Sequence, residues 1–233
     1  MPLSLQSRRV GDVIVLACSG PLVMGPGCDA LRDQFDALLP HDSLVVLDVG
    51  DLDFIDSSGL GLLVRLRNRA QFAHGDLKLC EVKPRFKEVL RMTRLDTVFE
   101  SHASESDAVG SFYDRARAHG RLERFKSDVL CVDQSADVLA YVCEVLKQAE
   151  YGVLTAANLP DALMLLKATP PKVIVIGAML RAARGTWSSD TFHSLSASIP
   201  TVELPADFSG HDAGEAGRRL LGEVRKVVSP EAV

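Results

Sequence analysis

No apolar run in the 233-residue sequence approaches the roughly 18 residues a bilayer-spanning helix requires. Met1 to Val10 is polar and carries Arg8 and Arg9, so it lacks the apolar core of a secretion signal. Lysine and arginine form no block, and the net charge of -5 is spread over both halves. Neither nucleic acid nor a membrane is expected as a main partner. The five cysteines (Cys18, Cys28, Cys80, Cys131, Cys143) are odd in number, widely spaced and mostly inside apolar runs, with no pair at zinc spacing. Buried reduced thiols in a cytoplasmic protein are expected. The six histidines show no paired helical spacing, so no metal and no cofactor is expected.

What remains is patterned as alternating strands and helices. With 47% hydrophobic and 24% charged residues the chain has room for one large or two ordinary domains. In the first half the strands are Val13 to Ala17, Ser43 to Val49, Leu77 to Val82 and a short edge strand at Thr97 to Glu100. The helices are Asp29 to Leu39, a run to about Phe72, Pro84 to Met92 and a last one from a Ser104 cap to about Ala118. Arg9 to Asp12 and Gly25-Pro26-Gly27 have turn or loop character. His119 to Lys126 (HGRLERFK) is a charged break. Beyond it come strands at Val129 to Val132, Val153 to Ala157, Val173 to Met179 and Thr201 to Leu204. Helices fall at Val138 to Ala149, Asp161 to Lys167 and Ala213 to Val228, with a loop at Arg181 to Ser189. This rhythm predicts α/β units in both halves, separated by a linker over 119–127.

The stretch Asp53-Phe54-Ile55-Asp56-Ser57-Ser58-Gly59-Leu60-Gly61 joins a buried-strand pattern to a helical one. Asp56 suits an N-cap, its carboxylate accepting orphan amides of the first turn. Ser57 and Ser58 then carry their hydroxyls near solvent. Gly59 and Gly61 each lower helix propensity by about 1 kcal/mol relative to alanine, which points to close approach by a strand or a partner. At about 100° per residue, Leu60, Leu63, Val64, Leu66 and Ala70 share the face assigned to the core. Ser58, Gly61, Leu62, Arg65 and Arg69 fall opposite, as a docking face beside phosphorylatable serines. The alternative on these residues is a capped helix whose glycines only pack on a strand.

This motif resembles the signature of STAS domains of the anti-sigma factor antagonist (anti-anti-sigma) family. The likeness runs from about Val13 to Val109 and takes in Leu90 to Glu100 (LRMTRLDTVFE). It implies a mixed sheet with helices over residues 1–118. It also implies that Ser57, the first serine after the aspartate, is phosphorylated by a partner kinase that is itself an anti-sigma factor; Ser58 is the adjacent alternative. The implied partner is an anti-sigma factor and serine kinase of the histidine-kinase-like ATPase type. It would meet a face built of Asp56, Ser57, Ser58, Gly61, Leu62, Arg65 and Arg69. A phosphate adds a charge of roughly -1.5 to -2. A helix N-terminus tolerates that charge, whereas Asp53, Asp56 and a docked partner do not, so binding is lost and the fold kept. Gly25-Pro26-Gly27 departs from the family pattern.

The second half, Asp128 to about Ala206, resembles a response-regulator receiver domain, implying a flavodoxin-like parallel sheet with helices on both faces over 128–233. That chemistry needs two acids after the first strand and an aspartate ending the third. Here Asp133 is followed by Gln134, the acceptor position is Gly177, and Pro205 stands where a hydroxyl is expected. One carboxylate holds magnesium poorly, and glycine is no nucleophile. This half therefore reads as a pseudo-receiver that packs, binds a partner or forms a homodimer.

The expected function is an anti-sigma factor antagonist-like signalling protein of a bacterium. It is switched off by serine phosphorylation, is cytoplasmic and has no catalytic activity. The alternative is a small-molecule or nucleotide sensor without a sigma-factor client, although no phosphate-cradling glycine loop supports it. An enzyme with Ser57 as nucleophile finds no histidine nearby in sequence and no Gly-x-Ser-x-Gly elbow.

Overall fold

The computed structural model describes residues 2–39, 43–118, 127–183, 185–208 and 213–228. It divides into two compact units, Met1–Phe112 and Tyr113–Val233, with the division falling inside a helix. The expected break at His119 to Lys126 lies outside the described residues.

The N-terminal unit opens with β1 (Ser4–Val10), which turns through Gly11 (φ +59°) into β2 (Val13–Leu22). β1 has no counterpart among the sequence-based strands. Only Val10 of it is fully buried, and antiparallel pairing from Ser4 with Ser19 to Val10 with Val13 holds it instead. Next comes α1 (Pro26–Leu38), so the Gly-Pro-Gly segment is a helix start, with Gly25 at φ +113° and proline in the first turn. β3 (Leu44–Ile55) is longer than its apolar run because Gly50 to Ile55 keep pairing with the end of β2. α2 (Ser57–Phe72), β4 (Asp76–Cys80) and α3 (Pro84–Met92) follow. The edge strand expected at Thr97 to Glu100 is instead a 3-10 turn at Leu95–Thr97, after which a two-residue β5 (Ser101–His102) pairs with β4. α4 (Glu105–Ala118) ends this stretch.

The strand order is β1-β2-β3-β4-β5, antiparallel at the first pair and parallel thereafter. The sheet is therefore mixed, as expected. Alternation sorts its side chains. Val45, Leu47, Leu77 and Leu79 pack with Leu31 and Phe35 of α1, Leu63 and Leu66 of α2, and Leu90 of α3. Lys78 lies between Leu77 and Leu79 and so faces the other way, toward α4. It is fully buried there, held by Glu100 (3.1 Å), by the Ser111 hydroxyl (2.6 Å) and over the Phe112 ring (4.5 Å).

The C-terminal unit has β6 (Val129–Val132), α5 (Ala136–Gln148), β7 (Val153–Ala156), α6 (Leu159–Ala168) and β8 (Val173–Gly177). Then come α7 (Ala178–Ala182), α8 (Trp187–Ser196), β9 (Thr201–Leu204) and α9 (Ala213–Val228). The strand order β7-β6-β8-β9 is parallel throughout. Val129, Cys131, Val173 and Val175 pack with Val142 and Leu146 of α5 and Leu220 and Val224 of α9. The alternate residues Leu130, Val132, Ile174 and Ile176 are also buried, and α6 packs against α8. Helices thus cover both faces. The loop expected at Arg181 to Ser189 gives way to α7 and α8. Thr186 and Ser189 cap α8 reciprocally, the threonine hydroxyl accepting the Ser189 N–H (3.1 Å) and the serine hydroxyl the Thr186 N–H (3.1 Å).

Candidate functional site

β3 delivers the site. Near its end Asp53 and Phe54 are exposed and Ile55 is half-buried, and the chain enters α2 at Asp56, an extended N-cap (φ −98°, ψ −179°). One Asp56 carboxylate oxygen accepts the Gly59 N–H (2.8 Å) and the other the Met24 N–H (3.0 Å). Its own N–H donates to the Leu22 carbonyl (3.3 Å). Asp56 therefore ties the start of α2 to the end of β2. The Gly59 amide first, and the Met24 amide second, hold its carboxyl below the usual carboxylate range.

Ser57 occupies the first helical position and is exposed; Ser58 is half-buried. The two glycines have different reasons. A Cβ on Gly59 would overlap the Leu22 carbonyl oxygen and lie 2.8 Å from Ile55 Cγ1, so the close approach is to strand ends within this unit. A Cβ on Gly61 would meet nothing within 4 Å, so no packing contact accounts for that glycine.

Of the expected docking face, Gly61 and Arg65 are exposed. Arg69 pairs with Asp36 of α1 while remaining 45% exposed. Leu62 is a correction: it is 2% exposed and belongs to the core. α1 packs along α2 and widens the buried arc past the edge that helical periodicity assigned.

Two apolar side chains at this end escaped the sequence reading. Met24 is 75% exposed and Phe54 52% exposed, and both flank Asp56, one through its N–H and the other two residues upstream. The usable signal was weak: a methionine between two glycine-proline turns, and a phenylalanine beside an acid at a strand end. A cleft of about 150 Å3 opens beside Phe54 and Ile55, with Phe86 and Val89 opposite and Lys83 and Arg85 at its rim.

In the C-terminal unit Asp133 follows β6, Gly177 ends the adjacent β8, and the two do come together. The Asp133 carboxylate accepts the Ser135 N–H (2.8 Å) and turns its other oxygen over Gly177. A Cβ at 177 would overlap that oxygen and sit 3.1 Å from Asp133 Cγ, so an acidic side chain cannot enter without displacing Asp133. Gln134 is exposed in the turn beyond. Pro205 follows β9 at the mouth of a separate groove. Among the described residues no three of His, Cys, Asp and Glu cluster to hold a metal, and no helix is long and apolar enough to cross a membrane.

Residues 4–108 match the family described as STAS domain. A Bordetella bronchiseptica protein named as an anti-sigma factor antagonist, BtrV, is 29% identical over 102 residues, covering 43% of this chain and 88% of that one. The anti-sigma F factor antagonist of Paenibacillus polymyxa is 26% identical over 111 residues, or 47% of this chain and 94% of its own. A solved structure from Thermotoga maritima, also named as an anti-sigma factor antagonist, is 23% identical with a TM-score of 0.43, covering 46% of this chain and 92% of that chain.

Proposed function

With residues 4–108 forming a STAS domain whose relatives are named anti-sigma factor antagonists, we propose that this chain is a phospho-regulated partner switch. Its partner is an anti-sigma factor that is also a serine kinase of the histidine-kinase-like ATPase type. The unphosphorylated start of α2 docks on that partner, and phosphorylation of Ser57 ends the docking. The observation that carries this reading is the position of Ser57. It is exposed, it follows an N-cap whose carboxylate is already engaged by two backbone amides, and exposed Met24 and Phe54 flank it.

The physical logic is a separation of fold from binding. Asp56, not Ser57, holds the helix start, so a phosphate on Ser57 leaves the cap intact. The added charge of roughly -1.5 to -2 falls at the positive end of α2, where it is tolerated within the unit. It also falls among Asp53, Asp56, Met24 and Phe54, where it repels an acidic partner and disfavours burial of the apolar pair.

The C-terminal unit acts in the same reading as an interaction or dimerisation module that accepts no phosphate of its own, and the chain works by binding in the cytoplasm rather than by catalysis. What supports the lack of a phosphate acceptor is glycine at 177, which has no nucleophilic side chain, with the carboxylate of Asp133 alone beside it. Phosphosite mapping of the protein purified from its own cells tests the switch. Phosphate on Ser57, or on Ser58 beside it, is the expected result; stoichiometric phosphate elsewhere, with none on this pair, would refute it.

A further inference from the structure

The four-stranded sheet of the C-terminal unit ends at β9, and among the described residues no strand lies beyond it. Ile174 N–H donates to the Pro200 carbonyl (2.9 Å), and Ile174 is the register partner of Thr201. In a parallel ladder the residues pointing their backbone groups toward the neighbour alternate, so the N–H and C=O groups of Thr201 and Glu203 face the open edge. Unpaired edge groups of this kind are a template for an added strand.

Beside this edge runs a groove of about 250 Å3 between β9 and α9. Its apolar lining comes from Val202, Leu204, Phe208 and Leu220. Its charged lining is Glu203, Glu215 and Glu223 against the single Arg219, and Arg219 itself reaches Glu223 (3.8 Å). A strand added at this edge therefore sets apolar side chains toward Leu204 and Leu220, under a rim of α9 carboxylates, and basic side chains beside Glu203 on its other face, which is the pattern of an extended segment with alternating basic and aliphatic residues. A second copy of β9 does not meet that need. A two-fold pairing centred on the strand sets the two Glu203 carboxylates opposite or diagonal to one another, which is unfavourable.

The geometry points to β9 and the β9–α9 groove as a docking site for an extended basic–aliphatic segment of a partner protein, added as a fifth strand. This deepens the reading of the C-terminal unit as an interaction module and does not depend on Ser57.

The test uses the full chain and two fluorescein-labelled eight-residue probes, one alternating lysine with valine and one alternating glutamate with valine. Fluorescence anisotropy should show the lysine probe binding at least tenfold more tightly, and it should slow hydrogen exchange at Thr201 and Glu203 more than at Val202. Thr201→Pro removes one outward N–H and keeps every charge. Proline is tolerated where a strand N–H faces out, so the variant should melt like wild type and bind the probe at least fivefold more weakly. Glu203→Lys combined with Glu223→Lys should abolish the preference for lysine. No lysine-probe binding, equal affinity for both probes, or full binding by folded Thr201→Pro would each overturn the proposal, as would self-association that protects the Thr201 amide without any probe. A natural partner that binds this unit with an affinity indifferent to Thr201→Pro would overturn the edge site alone and leave the interaction-module reading standing.

Discussion

Gly59 and Gly61 stand two residues apart in α2, and the same substitution should move stability in opposite directions. Alanine gains about 1 kcal/mol of helix propensity at either position. At Gly61 the new methyl meets nothing within 4 Å, so that gain stands. At Gly59 it overlaps the Leu22 carbonyl oxygen and crowds Ile55 Cγ1 at 2.8 Å. The carbonyl cannot simply withdraw, because it accepts the Asp56 N–H (3.3 Å) and Leu22 is fully buried at the end of β2. Overpacking of this kind costs about 1–3 kcal/mol, and a backbone obstacle places it at the upper end. Gly59→Ala should then lose about 2 kcal/mol net of the propensity gain. For a domain of about 100 residues each kcal/mol moves Tm by roughly 4–8 °C. The N-terminal transition should therefore fall by about 10 °C in Gly59→Ala and rise by about 5 °C in Gly61→Ala. Calorimetry reads both transitions, and Trp187, the sequence's one tryptophan, reports on the C-terminal unit and so assigns them. A neutral or stabilised Gly59→Ala would refute the overlap argument. On the proposed reading Gly61→Ala should also bind the anti-sigma factor kinase less well than wild type, since it places a methyl on the exposed face proposed to dock.

Thiol chemistry gives a second check. Burial pushes the Cys18 thiol up to about 12 and raises Cys80 and Cys131 as well, so these three should resist a thiol-reactive dye at pH 8 until the chain unfolds. Only the half-buried Cys28 and Cys143 are left to label in the native state; a third fast-reacting thiol would contradict the packing. The acid limb of stability tests Asp56. Its folded pKa lies below the ordinary value of about 3.9, so its stabilisation is complete above that value and is lost as pH falls through the depressed folded pKa. Asp56→Asn should flatten this limb as pH falls below the ordinary carboxylate range, and an unchanged slope in denaturant titrations would count against the cap. In the C-terminal unit, wild type should take up no phosphate from acetyl phosphate with magnesium. Gly177→Asp, which forces a second carboxylate against Asp133, should lower the C-terminal Tm without restoring uptake, and an acid-labile stoichiometric label would contradict this.

The sequence made the parallel elements legible where their residues carry a strong period. Val129 to Val132, Thr201 to Leu204, Pro84 to Met92 and the α2 helix fall where pattern places them. The elements it hid are held by pairing or capping rather than by their own apolar content. β1 is mostly exposed and exists through its hairpin with β2. α8 is serine-rich and starts with a Thr–Ser capping box, so its sequence resembled a loop. The last six residues of β3 are strand because β2 runs beside them.

At the site the same division holds. The capping role of Asp56 and the exposure of Ser57 follow from local chemistry and were readable. Its bond to Met24, 32 residues away, depends on the fold. So does the burial of Leu62, which a neighbouring helix imposes, and so does the approach of the Asp133 carboxylate to Gly177. Lys78 makes the point most sharply. In sequence it was one polar residue in an alternating strand; in the fold it is fully buried against α4.

On the proposed reading, charge on Ser57 ends partner binding without disturbing the fold. Calorimetric titration of the proposed anti-sigma factor kinase against wild type, Ser57→Ala and Ser57→Asp tests this, with circular dichroism recorded on each. Ser57→Ala should bind like wild type. Ser57→Asp should bind at least tenfold more weakly with an unaltered spectrum. Tight binding by a folded Ser57→Asp chain would contradict it.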